Sequence, residues 1–286
     1  MKILFCTDGS ECSIHSFENM SYYVNSAVVD IICVVDWTFL PTSMTMEKQS
    51  YTQVYEKIAD EVLNFASEIV KKNEFEVGKK IKAFGSPSEE ITQTIENDDY
   101  DLIVLGSHGK KGFQKWIGSV SRQVVSRTNV PCFVSKNLTK NHKTLITTDG
   151  SECSFNYIKY FAKNFDIKDK EISVLNVKES PEYFPVDAAA DKNWLEALEK
   201  EQKIYAAKSI NKVKAILKDK KVEVANEIIL TGNPAQEIID YCRKDKIDLV
   251  VMGSRKRNDL SKILLGSVSK RVLENVDCGV LVIGCS

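Results

Sequence analysis

The heptapeptide Thr-Asp-Gly-Ser-Glu-Cys-Ser stands at Thr7–Ser13 and again at Thr148–Ser154, an offset of 141 in a chain of 286 residues. Seven identical residues at that spacing mean one unit written twice. A period this long makes one domain per copy, not a solenoid of short repeats. Each copy follows a short apolar run, Ile3-Leu4-Phe5-Cys6 in the first half and Leu145-Ile146-Thr147 in the second. An apolar strand that ends in Asp-Gly-Ser and turns into a helix is how α/β proteins build ligand sites. Residues 1–138 and 143–286 are the two expected domains, with the polar, aperiodic stretch 136–142 as linker.

Each half alternates strand and helix. Leu102-Ile103-Val104-Leu105 and Leu249-Val250-Val251-Met252 are too short for helices and suit strands buried on both faces of a parallel sheet. Leu195, Leu198, Tyr205, Ile210, Val213 and Leu217 share one helical stripe, which predicts a long helix over 191–217. Helices are also expected over 13–25 and 51–72. The fold class is α/β, with two tandem doubly wound five-stranded parallel sheets in strand order 3-2-1-4-5. Further landmarks repeat. Gly85-Ser86-Pro87 matches Gly232-Asn233-Pro234, and Asp101–Ser107 matches Asp248–Ser254, both at an offset of 147. Gly118-Ser119-Val120-Ser121 matches Gly266-Ser267-Val268-Ser269 at 148. The second half therefore gains about six residues early, and the loop 178–191 is the expected place.

A net charge of −1 gives no basic footprint for nucleic acid and no polybasic patch for a membrane. No apolar run reaches the roughly 18 residues of a membrane span, and the N-terminus lacks the pattern of a signal peptide. The eight cysteines include no Cys-x-x-Cys pair, and several, such as Cys6, Cys33, Cys132 and Cys285, lie in or beside strand-like runs. Reduced, mostly buried thiols in a cytoplasmic protein are the expectation.

Two strand ends carry the polar and glycine-rich residues: Asp8-Gly9-Ser10 after strand 1, and Gly106-Ser107-His108-Gly109 after strand 4. In the order 3-2-1-4-5 those strands are neighbours, and the chain winds away from them in opposite directions, leaving a crevice above their carboxyl ends. Gly118-Ser119-Val120 then opens a helix, whose free N–H groups and positive dipole make an anion site. Asp8 accepts hydrogen bonds but cannot donate them. It suits a ribose hydroxyl or a base amine, not a phosphate. A pocket acidic at one end and anion-receptive at the other has the polarity of a nucleotide.

On these motifs the whole chain resembles a tandem universal stress protein. The ATP-binding members of that family carry Gly-x2-Gly-x9-Gly-[Ser/Thr] after strand 4 and an Asp after strand 1. The resemblance implies an adenine nucleotide alpha hydrolase-like fold and a bound adenine nucleotide, ATP or AMP, with Mg²⁺ able to accompany ATP. It implies that Asp8 contacts the adenosine part and Val34 the base. Gly106, Gly109, Gly118 and Ser119, with the Val120 backbone, would hold the phosphates. In the second half Asp149, Val177, Gly253, Gly266, Ser267 and Val268 fall on the same positions. The family's last strands pair across a dimer, which implies that the two halves pair within this one chain. A homodimer of the whole chain is left open. Both halves depart from the motif. Eight residues, not nine, separate Gly109 from Gly118, and Lys256 stands where the second half should have its second glycine. Lys110, Lys111, Arg255 and Lys256 could supply cations to phosphates.

Blander readings stand beside these. Asp8 and Asp149 could be turn and cap residues. His108 reads as a loop residue, because its match is Arg255. Cys12 and Cys153 lie in a first helical turn, where a thiol pKa can fall. A regulatory protein that binds nucleotide is the favoured function. The alternatives are a slow ATPase, against which stands the absence of a Walker A motif and of paired carboxylates, and a scaffold that binds no nucleotide.

Overall fold

The computed structural model describes residues 1–36, 48–107, 118–137, 142–179, 192–254 and 265–284. They divide into two compact units between Leu138 and Thr139. The first runs β1 (Lys2–Cys6), α1 (Glu11–Ser21), β2 (Val28–Val35), α2 (Lys48–Lys72), β3 (Glu76–Phe84), α3 (Pro87–Glu96), β4 (Leu102–Gly106), α4 (Ser119–Arg127) and β5 (Cys132–Ser135). The second runs β6 (Lys143–Thr147), α5 (Glu152–Asn164), β7 (Glu171–Lys178), α6 (Lys192–Lys218), β8 (Val224–Thr231), α7 (Pro234–Asp245), β9 (Leu249–Ser254), α8 (Ser267–Asn275) and β10 (Gly279–Gly284). Within the first unit the strands lie in the order β3-β2-β1-β4-β5, and the second repeats it as β8-β7-β6-β9-β10. The pairings within each unit are parallel. This is the expected 3-2-1-4-5 winding, twice.

The central strands are apolar on both sides because helices cover both faces. Ile3, Leu4, Phe5, Leu102, Ile103 and Val104 are fully buried, as are Leu249, Val250 and Val251 in the second unit. Helix α1 packs on β4 and β5 and α2 on β2 and β3, while α3 and α4 pack on each other. In α6 the inner stripe is Ala206, Ile210, Val213 and Leu217, all buried at 3.6-residue spacing. None of the described helices is long and apolar enough to cross a membrane.

Two sequence expectations shift. Helix α1 begins at Glu11, two residues before the predicted start, because Ser10 caps it. The added residues of the second half do not all fall in the 178–191 loop. Cys6 pairs with Ile32 on the next strand, and Thr147 with Leu175, so the offset has already grown from 141 to 143 at β7. Helix α5 has 13 residues against 11 in α1, which accounts for those two.

Asp30 interrupts β2 and is 1% exposed. Its buried carboxylate oxygens are met by donors. The Tyr100 hydroxyl donates to it at 3.0 Å, the Lys79 amide donates at 2.7 Å, and Lys2 Nζ lies 3.7 Å away. Gly78 is required opposite, since a Cβ there would sit 2.1 Å from Asp30 Oδ1. The β2–β3 register shifts at this point. The second unit solves the same shift in β7–β8 with a neutral pair, Asn226 donating to Ser173 at 3.1 Å.

Candidate functional site

The repeated heptapeptide folds into the same turn in both units. Thr7 continues the β1 ladder by donating its amide to Ile32 O, and Thr148 does so to Leu175 O. The Thr7 hydroxyl then bonds the Ser13 hydroxyl at 2.7 Å and accepts from the Gly9 amide at 3.0 Å. Thr148, Ser154 and Gly150 repeat this at 2.9 and 3.1 Å. Gly9 and Gly150 have φ of 75° and 78°, the left-handed region that glycine enters without strain. Asp8 Oδ1 accepts from the Ser10 amide at 3.0 Å, and Asp149 Oδ1 accepts from the Ser151 amide at 2.9 Å and its hydroxyl at 2.6 Å. The turn half of the blander reading therefore holds, but the helix caps are Ser10 and Ser151. Both aspartates remain exposed at the lip of the crevice.

The second wall is built from β4 and α4, and from β9 and α8. Cys6 lies beside Leu105 in the β1–β4 register, which brings the Asp8 turn next to Gly106. Gly106 has a packing reason to be glycine. A Cβ there would lie 2.8 Å from Ser13 N and 2.9 Å from Ser13 Cα, so only glycine lets the α1 backbone rest on the strand end. The Ser121 hydroxyl donates to Gly106 O at 2.5 Å, and Ser269 donates to Gly253 O at 2.7 Å. Gly118 and Gly266 are the cap residues of α4 and α8, both in extended conformation and neither with a side-chain cap bond. The first amides of these helices, at Ser119-Val120 and Ser267-Val268, therefore lack a capping side chain. Gly109, His108, Lys110 and Lys111 lie outside the described residues, as do Arg255 and Lys256.

In the second unit the two walls enclose a cavity of about 230 Å³. Asp149, Val177, Gly253, Gly266, Ser267 and Val268 all line it, which are the six positions marked from sequence in that half. The sequence missed Glu179, Met252, Ile238 and Tyr157, which also line it. A second cavity of about 720 Å³ shares Asp149, Val177 and Glu179 with the first and extends along α6 past Gln202, Tyr205 and Lys208. Tyr205 also braces the turn, since its hydroxyl donates to Gly150 O at 3.0 Å. In the first unit Asp8, Val34, Gly106, Gly118, Ser119 and Val120 sit at the matching strand ends and helix start.

The electrostatics are polar along the cavity. Asp149 and Glu179 bring carboxylates to the lining, and the N-terminus of α8 brings amides and a positive dipole. Tyr157 donates to Thr147 O, and burial pushes its hydroxyl pKa well above the ordinary value, so it stays protonated. Burial also raises the Cys12 thiol, outweighing a hydrogen bond with Ser107, so the first-turn position does not activate it. Six described cysteines are free thiols, but Cys153, in the cavity wall, is disulfide-bonded. This corrects the expectation of uniformly reduced thiols. A sequence shows which cysteines exist but not which come together. Among the described residues no group of three metal-ligating side chains converges.

Comparisons with known proteins place this geometry. The model of the universal stress protein family matches residues 1–136 and again 140–284. The universal stress protein MJ0531 of Methanocaldococcus jannaschii is 38% identical over 144 residues, 49% of this chain and 81% of that protein. The universal stress protein YxiE of Bacillus subtilis is 26% identical over 50% of this chain and 98% of its own length. A crystal structure of a universal stress protein from Archaeoglobus fulgidus matches 100% of this chain and 98% of that one, with 20% identity and a TM-score of 0.67, which shows a shared fold.

Proposed function

Because the chain belongs to the universal stress protein family, we propose that it is a regulatory protein that binds an adenine nucleotide, ATP or AMP, in the crevice between the first and fourth strands of each unit. The observation that carries this reading is the second-unit cavity lined by Asp149, Val177, Gly253, Gly266, Ser267 and Val268. Together with the adjoining space along α6, its volume enters the range of about 300–1,000 Å³ usual for small-molecule sites. In this reading Asp149 accepts from a ribose hydroxyl through the oxygen its turn leaves over. Val177 presents an apolar surface to the base. The α8 amides at Ser267 and Val268 take the phosphates, with Gly253 and Gly266 allowing close approach. Asp8, Val34, Gly106, Gly109, Gly118, Ser119 and Val120 take the same roles in the first unit. The cavity wall suits an adenosine, with an acceptor-only carboxylate at one end and amide donors at the other.

The test uses the purified full-length chain. Nucleotide released on heat denaturation is identified by chromatography, and calorimetry with ATP, ADP and AMP measures affinity. Gly118→Val and Gly266→Val are each expected to remove one site by crowding the phosphates. The reading fails if no nucleotide is released and none of the three ligands gives measurable binding.

A further inference from the structure

Cys242 is the ninth residue of α7, and Cys278 immediately precedes β10. They are 36 residues apart in sequence, yet their thiols come close enough to interact. Both are free, and they are 4% and 8% exposed. Their flanks are held together as well. Arg243 Nη2 donates to Asn275 O at 3.3 Å, and Arg243 Nε lies 3.8 Å from Asp277 Oδ2. The first unit carries Ile95 and Val130 at the matching positions, counted from Pro87 and from the β4–β5 register. The fold therefore does not need sulfur at these places, and the second unit has a close thiol pair where its twin has aliphatic side chains.

We propose that Cys242 and Cys278 form a reversible disulfide, a redox modification site confined to the second unit. The oxidant class is a low-molecular-weight disulfide. Cys278, the more exposed thiol, loses its proton to solvent and attacks one sulfur of the small disulfide. That S–S bond breaks, and one small thiolate leaves and takes up a proton. Cys242 then gives up its proton and attacks Cys278 Sγ, and the second small thiol departs. The two protein thiols lose two electrons, and the small disulfide becomes two thiols. Their closeness favours this sequence, because a neighbouring S–H can donate to the Cys278 thiolate as it forms. The same contact and the burial push the Cys242 thiol up, so its step is the slow one.

The covalent ring so closed contains β9, Gly253, the Gly266-Ser267-Val268 segment and all of α8. It ties the two ends of the segment that lines one wall of the cavity. The inference stands on the placement of the two buried thiols and of their bonded flanks, and does not depend on what the cavity binds.

The test is thiol mapping of the native full-length chain after exposure to excess oxidised glutathione. Samples are quenched with an alkylating agent in denaturant and mapped by mass spectrometry. The expected result is a linked peptide pair, Cys242 with Cys278, with near-complete loss of alkylation at both and full recovery after dithiothreitol. In Cys278→Val, which restores the first unit's residue, Cys242 stays alkylatable. If that variant does not fold, Cys242→Ile serves, with Cys278 then stopping at a glutathione adduct. The proposal is overturned if both thiols of the unmutated chain remain alkylatable, or if Cys278 carries glutathione while Cys242 stays free.

Discussion

The Ser121 hydroxyl donates to the Gly106 carbonyl at 2.5 Å, and Ser269 makes the same bond to Gly253 at 2.7 Å. Each ties the first turn of a glycine-capped helix to the strand end beside the crevice. Ser269→Ala removes the donor and leaves a half-buried carbonyl. The second unit should lose about 0.5–1.5 kcal/mol, measured by urea unfolding. A second-site affinity for ATP that does not fall would separate the helix start from the anion end of the pocket.

Gly106→Ala puts a Cβ 2.8 Å from the Ser13 amide, so α1 must move off β4. Overpacking of this kind costs about 1–3 kcal/mol. The cost should appear in the nucleotide-free protein, seen as a lower denaturation midpoint of the first unit. Wild-type stability in this variant would mean that α1 is not seated on Gly106 in solution.

Asp149→Asn keeps an acceptor for the Ser151 amide, while Asp149→Ala loses it. If the carboxylate anchors a ribose, both variants should lose at least about tenfold in affinity, or 1.4 kcal/mol, at the second site by calorimetry. If the residue only shapes the turn, Asp149→Asn should bind like the wild type and Asp149→Ala should not.

Stability in acid should depend on Asp98. Its hydrogen bonds with Lys2, at 2.6 Å, and Lys79, at 2.9 Å, hold its carboxyl well below the usual carboxylate range. The folded pKa is depressed, so the stabilisation is fully present above the unfolded value of about 3.9. It is lost as pH falls through the folded pKa. Unfolding midpoints of the wild type and Asp98→Asn should therefore differ at pH 7 and draw together progressively as pH falls below about 4. Parallel curves down to pH 2 would remove this group from the acid response.

Much of the fold could be read from the chain, because buried parallel strands such as Leu102–Leu105 are uniformly apolar and the glycine turns repeat. The second unit's crevice was legible for the same reason, since the six residues marked in that half line one cavity. What escaped depended on distances the sequence does not encode. The Ser121–Gly106 bond joins residues 15 apart in sequence. Gly106 looked like a phosphate glycine but is also demanded by the α1 backbone. Nothing in the periodicity of α6 announced that Tyr205 would reach Gly150. Spacing alone could not tell the disulfide-bonded Cys153 from the reduced Cys12.

Tyr205 lies on the outer part of α6, about half exposed, with its hydroxyl on the carbonyl next to Asp149. A displacement of α6 must break that bond or drag the turn with it. The helix is thus mechanically geared to the pocket lip, with Tyr205 as one of the teeth. A force applied at the protein's exterior reaches the turn that carries the carboxylate, and a load on that turn returns to the exterior the same way.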